Sequence, residues 1–288
     1  GVDGYPVNLY GQDLIDDSFK DVKLYVYPKT SDPFGSDALV YHGMDYKANA
    51  IFTMQDIHLL NPAHLQQLRV FIPYVPIDKD PVPPEVLNRL SFAYKIITFS
   101  EFGQRTLLKA GFTSTLILEG TDTEIFKPMD RVACRKELNM PVEPFMFGMI
   151  AANKENPPRK GFQEVLEAFR MFAERHEDAT IFFHNQQKSP GMFPIQQYGQ
   201  YLGITKRMLF MNDYQSTFKS DSHTIAKELN AMNIYLQPSQ TEGFGLTSIE
   251  AQSCGIPSIV NNCTSMPETV LKGVTGEVCE TQGIKRYT

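Results

Sequence analysis

Pro238-Ser239-Gln240-Thr241-Glu242-Gly243-Phe244-Gly245-Leu246-Thr247-Ser248-Ile249-Glu250-Ala251 follows a short apolar run, Ile234–Gln237, and opens a segment of helical spacing, Leu246–Ser253. Strand, glycine-containing turn and helix start, in that order, mark the carboxyl end of a strand in a parallel α/β sheet. That is the edge at which such sheets bind ligands. Gly243 and Gly245, on either side of Phe244, let the backbone approach a ligand closely. The N–H groups at the helix start, with their partial positive charge, favour a phosphate. Glu250, about one turn into the helix, is placed to accept hydrogen bonds from vicinal hydroxyls such as those of a ribose. Glu242, on the loop, is placed to reach the hydroxyls of a sugar. Gly-x-Gly and two glutamates separated by seven residues are weak signals alone, because acidic chains produce that spacing by chance. The specificity lies in the flanks, where Cys254-Gly255-Ile256-Pro257 and a further apolar run follow in register.

Working outward, apolar runs and helical periodicity alternate from Phe145 onward. Strands are expected at Phe145–Ala151, Thr180–His184, Met208–Met211, Ile234–Gln237 and Ser258–Val260. Helices are expected at Phe162–Glu174, near Pro194–Leu202, near Ser222–Ala231, and at Leu246–Ser253 and Pro267–Leu271. This alternation predicts a parallel sheet covered by helices on both faces. The first half shows strand signals at Val22–Tyr27, Ala38–Tyr41, Ala50–Met54, Val70–Ile72, Lys95–Phe99 and Thr115–Leu118. Between them, Pro83-Pro84 suits the start of a helix over Glu85–Ala93, and Ser100 suits the N-cap of a helix over Glu101–Lys109 that stops at Gly111. The polar segment after Gly120-Thr121-Asp122, punctuated by Pro128, Pro141 and Pro144, divides the chain into expected domains 1–127 and 128–288.

A chain of 288 residues with a formal charge of −6 has the composition of a folded globular protein and no basic field for a polyanion, so nucleic acid is not the expected partner. The longest apolar stretches are far short of the roughly 20 residues that span a bilayer. A soluble, cytoplasmic protein is therefore expected, with peripheral membrane contact left open. Cys134, Cys254, Cys263 and Cys279 have irregular spacing with no Cys-x-x-Cys pair, which suggests neither a zinc site nor a disulfide scaffold. His58 and His64 lack a third ligand nearby, so no metal site is expected.

The segment from Glu242 to Pro257 resembles the glutamate-seven-glutamate signature of the retaining glycosyltransferases of family 4, which have the GT-B fold. Gly148–Asn153 followed by Arg159-Lys160-Gly161-Phe162 resembles that family's strand, basic loop and helix. Glu119–Pro128 resembles its segment entering the second domain, and Ile97–Gly103 its first-domain strand and helix. The resemblance implies an α/β protein of two Rossmann-like domains with parallel sheets facing across a cleft. It also implies that the N-terminal, acceptor-side domain is incomplete and that the C-terminal, nucleotide-sugar domain is truncated. Gly1–Gln12 would be the remainder of a glycine-rich loop facing the donor.

By the same resemblance Glu242, Gly243, Phe244 and Gly245 hold the donor sugar, with Leu246 and Thr247 beside them. Glu250 binds the ribose and Lys160 the diphosphate. The family's arginine after the first strand of this domain is absent, with Ala152-Asn153 in its place, so Arg159, from the loop, is the candidate to replace it, and Asn153 is a further candidate donor-binding residue. The donor is a nucleoside diphosphate sugar, UDP- or GDP-linked, with no further cofactor and no metal. The acceptor is an unidentified hydroxyl on a glycan, a lipid or a small molecule. In the first domain Gln55 stands at the position of a family histidine. Asp56 and His58 are the candidate catalytic residues there, and His42 is a further candidate at the end of the expected strand Ala38–Tyr41. A non-catalytic sugar-nucleotide-binding protein and a GT-B-like epimerase or phosphorylase are the alternative functions.

Overall fold

The computed structural model describes residues 32–185, 191–211 and 221–280. The expected strand Val22–Tyr27 and the segment Gly1–Gln12 lie outside them. The described residues form two compact units, one holding 32–74 and 83–96, the other 75–82 and 97–280. This division differs from the expected one at 127/128.

The first unit carries helix α1 (Ser36–Asp45), strand β1 (Ile51–Met54), a 3-10 turn (Ile57–Leu59), helix α2 (Pro62–Leu65), strand β2 (Phe71–Val75) and helix α3 (Pro84–Leu90). β1 runs parallel to β2, with Ile51 opposite Phe71 and Met54 opposite Tyr74. Leu60, Leu65, Phe71 and Leu90 are buried within it. Asn61 caps α2, its side chain accepting from the N–H of Ala63. The expected strand Ala38–Tyr41 is instead part of α1. Gly35, left-handed at φ 76°, starts that helix, and of Ala38–Tyr41 only Val40 is buried. An apolar run of four residues does not distinguish a strand from one turn of helix. His42 therefore sits in the last turn of a helix, stacked at 5.9 Å on Tyr46, with burial holding its pKa below the ordinary value.

After residues 75–82 the second unit continues with β3 (Ile97–Thr98), α4 (Glu101–Lys109) and β4 (Thr115–Leu116), the strands parallel to each other. Ser100 caps α4 by accepting from Gly103, and Gly111, at φ 85°, ends it. After α5 (Arg131–Glu137) come β5 (Phe145–Ile150), α6 (Phe162–Ala173), β6 (Ala179–His184), α7 (Ile195–Tyr201) and β7 (Met208–Phe210). The chain continues through α8 (Ser222–Ala231), β8 (Ile234–Gln237), α9 (Leu246–Ser253), β9 (Ser258–Asn261), a 3-10 turn (Met266–Thr269) and β10 (Gly276–Cys279). The expected helix Pro267–Leu271 is that short 3-10 turn.

These strands form a six-stranded parallel sheet in the order β10-β9-β8-β5-β6-β7. Side chains of β5 alternate between its two faces, as the pleat requires. Phe147 and Met149 pack with Val165, Leu166 and Phe169 of α6, while Met146 packs with Leu229 and Met232 of the α8 end and with Ala251 of α9. Each of the large apolar residues of α6 that is buried contributes about 1.5–3 kcal/mol. From β5 the chain builds outward through β6 to β7, then crosses back to place β8 on the other side of β5. The carboxyl ends of β5 and β8 therefore flank the switch point at which ligands of such sheets bind.

Candidate functional site

Two loops meet at that switch point. One runs from β5 to α6, the other from β8 to α9. The N–H of Gln240 donates to the carbonyl of Arg159 at 2.7 Å, and Arg159 Nη1 donates to the carbonyl of Thr241 at 2.8 Å. Gly161, left-handed at φ 80°, starts α6, and a Cβ there would stand 2.5 Å from the carbonyl oxygen of Pro238. Only glycine allows both the backbone angle and the approach. This lacing brings Lys160 against Glu242, and Lys160 Nζ donates to Glu242 Oε1. Both side chains are mostly buried, and Arg159 Nη1 lies 3.9 Å from Glu242 Oε2.

The Glu242 loop is also held from the segment after β9. Thr264 Oγ1 accepts from the Glu242 N–H at 3.0 Å, and Ser265 Oγ donates to the carbonyl of Glu242 at 2.8 Å and lies 3.0 Å from that of Phe244. Gly243 faces Pro76, whose Cβ occupies the place of a side chain at 243. Phe244 is buried, and Gly245, at φ 109°, starts α9 with no side-chain cap. The N–H groups of that first turn are the ones a helix leaves for an anion.

A cavity of about 420 Å³ opens beside these loops, walled by Ile150 to Ala152 at the end of β5, Gln237 and Ser239 at the end of β8, Thr247 of α9, and Lys154 and Lys160. Tyr235 underlies it, fully buried, with its hydroxyl donating to the carbonyl of Ile150 at 3.2 Å. Ser239 Oγ and Gln237 Oε1 are buried without a hydrogen-bond partner. Such groups are costly unless a ligand or water satisfies them. Glu250, on the second turn of α9, has its carboxyl pushed up to about 7, first by burial and then by the charge of Glu119. Glu119 is itself raised by burial.

The sequence candidates separate on this geometry. Glu242, Lys160, Gly243, Phe244, Gly245, Leu246, Thr247 and Glu250 share the two laced loops and the start of α9. Arg159 braces the loop through Thr241 and Glu155 and is not among the residues lining the cavity. Asn153 is 2% exposed and its amide is committed to the backbone of Phe193, donating to its carbonyl at 2.9 Å and accepting from its N–H at 3.1 Å. Its side chain is a brace. Asp56, just before the 3-10 turn after β1, and His58, within it, are exposed and belong to the other compact unit. Thr264, Ser265, Gln237 and Ser239 are additions that the sequence reading did not single out. Their one sequence signal is position, since Gln237 ends β8, Ser239 follows it, and Thr264 and Ser265 follow β9. Among the described residues no group of three or more His, Cys, Asp or Glu is placed to hold a metal ion, and no helix is long and apolar enough to cross a membrane.

Residues 130–287 match the family model described as glycosyl transferases group 1. D-inositol 3-phosphate glycosyltransferases of Mycobacterium bovis and Mycobacterium tuberculosis are 29% identical over 161 residues, 54% of this chain. That match spans 31% of those proteins' own length. Sucrose-phosphate synthase from Thermosynechococcus elongatus superposes with a TM-score of 0.69 at 20% identity, covering 90% of this chain and 68% of that one. Anabaena Alr3699/HepE in complex with UDP-glucose superposes with a TM-score of 0.68 at 18% identity, covering 92% and 75%. At these identities the structural likeness establishes the fold, which is of the GT-B type.

Proposed function

The chain belongs to the glycosyl transferases group 1 family, and on that footing we propose that it moves a sugar from a nucleoside diphosphate sugar to a hydroxyl acceptor, with retention at the anomeric carbon. The observation that carries this reading is the Lys160–Glu242 ion pair at the junction of the two laced loops, beside the uncapped start of α9. Each part has a task. The start of α9 and Lys160 take the diphosphate, Glu250 accepts from the ribose hydroxyls, and Glu242 accepts from hydroxyls of the transferred sugar.

When the sugar–phosphate bond breaks, negative charge develops on the departing diphosphate, and fixed cations and N–H groups lower the barrier by stabilising it. Lys160 is then shared between Glu242 and the phosphate, which links the position of the sugar to that of the leaving group. Lys154, on the same cavity wall, adds a second positive charge. These cations supply the stabilisation that a divalent ion supplies elsewhere, so transfer proceeds without one. The binding of UDP-glucose by the Anabaena structure supports a UDP-sugar as the first donor to try, with GDP-sugars second. The acceptor hydroxyl belongs to a glycan, a lipid or a small molecule, and the work is done in the cytoplasm.

The test is a panel of UDP- and GDP-sugars, with and without candidate acceptors, following release of the nucleoside diphosphate. Acceptor-dependent release that falls at least about 100-fold in Glu250→Ala and Lys160→Ala supports transfer. Saturable donor binding with no release against any acceptor would leave a binding protein in its place.

A further inference from the structure

We propose that Thr264 and Ser265, on a turn anchored by Glu268, are positioning residues for the transferred sugar: they fix the backbone of Glu242 and so aim its carboxylate at the sugar hydroxyls. This rests on the donor reading of the site given above. β9 ends at Asn261, and the turn after it holds Thr264 at φ 47°, in the left-handed region. A β-branched residue is strained there, and such strain persists only where the surroundings over-determine the conformation.

The surroundings of this turn do so. Thr264 Oγ1 accepts from the Glu242 N–H at 3.0 Å and donates to the Glu242 carbonyl at 3.1 Å. One hydroxyl thus engages both polar backbone groups of the residue that carries the carboxylate. Ser265, wholly buried, places its Oγ 2.8 Å from the carbonyl of Glu242 and 3.0 Å from that of Phe244. The rest of the turn is fixed to α9 and its approach. A Cβ at Gly245 would stand 2.9 Å from Sδ of the buried Met266. Thr269 Oγ1 lies 3.2 Å from Ser248 Oγ, and the Thr269 carbonyl accepts from Gln252 Nε2 at 2.8 Å. Glu268 ties the same turn to a different helix. Its N–H donates to the carbonyl of Ser265 at 3.0 Å, and its carboxylate accepts the N–H groups of Glu101 and Phe102 at the start of α4.

Glu242 is therefore held twice. Lys160 engages its carboxylate, and the turn engages its backbone. A carboxylate fixed in place before the ligand arrives meets the sugar hydroxyls without reorganising, which is what makes a preorganised acceptor effective. Lys160 alone would leave the backbone free to carry the carboxylate aside. The hydroxyls of Thr264 and Ser265 bond to residues 242 and 244, not to Lys160 or to the N–H groups at the start of α9. Their loss is thus felt by the sugar more than by the diphosphate.

The experiment is calorimetric titration of the whole chain, without acceptor, with UDP-glucose, UDP-galactose and GDP-mannose and with UDP and GDP. Thr264→Val keeps the shape and removes the hydroxyl. It is expected to weaken the tightest-binding sugar nucleotide about 10-fold while leaving the matching diphosphate within about threefold. Ser265→Ala should do the same, and carries the comparison should Thr264→Val fail to fold. Glu268→Ala should shift the ratio of the two affinities in the same direction, and Glu268→Gln, which keeps one acceptor oxygen, should restore most of it. In Glu242→Ala, where the sugar contact is already gone, adding Thr264→Val is expected to change sugar-nucleotide affinity less than about twofold. An unchanged ratio in folded Thr264→Val and Ser265→Ala overturns the proposal, as does an equal loss of both ligands, which is what a general loosening of the fold gives. A Thr264→Val effect that persists in full in Glu242→Ala also overturns it. A wild type that binds none of the five ligands overturns the donor reading itself and is told apart by that result.

Discussion

The carboxylate of Glu268 accepts the backbone N–H of Phe102 at 2.6 Å, and its second oxygen accepts that of Glu101 at 2.7 Å. A side chain from the turn after β9 thus caps the first turn of α4, where the helix leaves its N–H groups unpaired and favours negative charge. A Cβ added at Gly103 of the same helix would stand 3.2 Å from the Cβ of Ile77. These contacts explain why the second compact unit reaches back across the expected boundary at 127/128. Glu268→Ala is expected to lower the unfolding free energy by about 1–3 kcal/mol, measured by chemical denaturation. Glu268→Gln should lose less, since one amide oxygen still accepts. A Glu268→Ala protein within about 0.5 kcal/mol of wild type would show that the cap contributes nothing.

Gly243 and Gly161 are placed against backbone or proline on the two laced loops, and they fail differently when given a side chain. At 243 a methyl group meets Pro76, so the loop carrying Glu242 must shift. Gly243→Ala should therefore weaken donor binding at least about tenfold with a modest loss of stability. At 161 the backbone angle is also left-handed, so Gly161→Ala adds about 1–2 kcal/mol of strain to a clash with the Pro238 carbonyl. It should lower the melting temperature as well as donor affinity. Equal effects of the two variants on melting temperature would contradict this distinction.

Asn153 of the β5–α6 loop is held as a structural brace. Because its amide is spent on the backbone of Phe193, Asn153→Ala leaves the Phe193 N–H unpaired, while the Phe193 carbonyl keeps the bond it accepts from the N–H of Ile195. The expected cost is about 1–3 kcal/mol of stability, read by denaturation. Donor affinity measured well below the new melting temperature should stay within a few-fold of wild type. A loss of affinity with stability intact would make it a ligand contact after all.

How far such assignments were legible depended on whether the deciding chemistry was local. Ser222–Ala231 and Leu246–Ser253 have the bounds read from the sequence, because Asp221 and Gly245 mark their starts in the residues themselves. Ala38–Tyr41 was misread because four apolar residues set no period, and the helix α1 that contains them starts after the left-handed Gly35. Glu242, Glu250 and Lys160 were found through a motif and its resemblance. The lacing that brings Lys160 to Glu242 joins residues 82 apart in the chain. Thr264 and Ser265 act on Glu242 in the same non-local way.

Glu250 links the site to pH. Its carboxyl sits at about 7 in the folded chain against an ordinary 4.5, raised first by burial and then by Glu119. Between those two values the folded state holds a proton that the unfolded state has released. The group's contribution to stability is thus fully present below about 4.5 and is lost as pH rises through about 7. Glu250→Gln removes the titration, so its melting temperature should exceed that of wild type at pH 8 and converge on it near pH 4.5. Ligand binding runs the other way. A ribose hydroxyl donates better to an ionised carboxylate, so wild-type donor affinity should rise as pH increases through about 7, and the rise should be absent in Glu250→Gln. Replacing Glu119 with Gln should move the wild-type midpoint down towards the ordinary carboxyl range, because it removes the neighbouring charge while leaving the burial. A pH-independent difference in melting temperature between wild type and Glu250→Gln would refute the shift. A donor affinity that falls across the same window would refute the role of the ionised carboxylate.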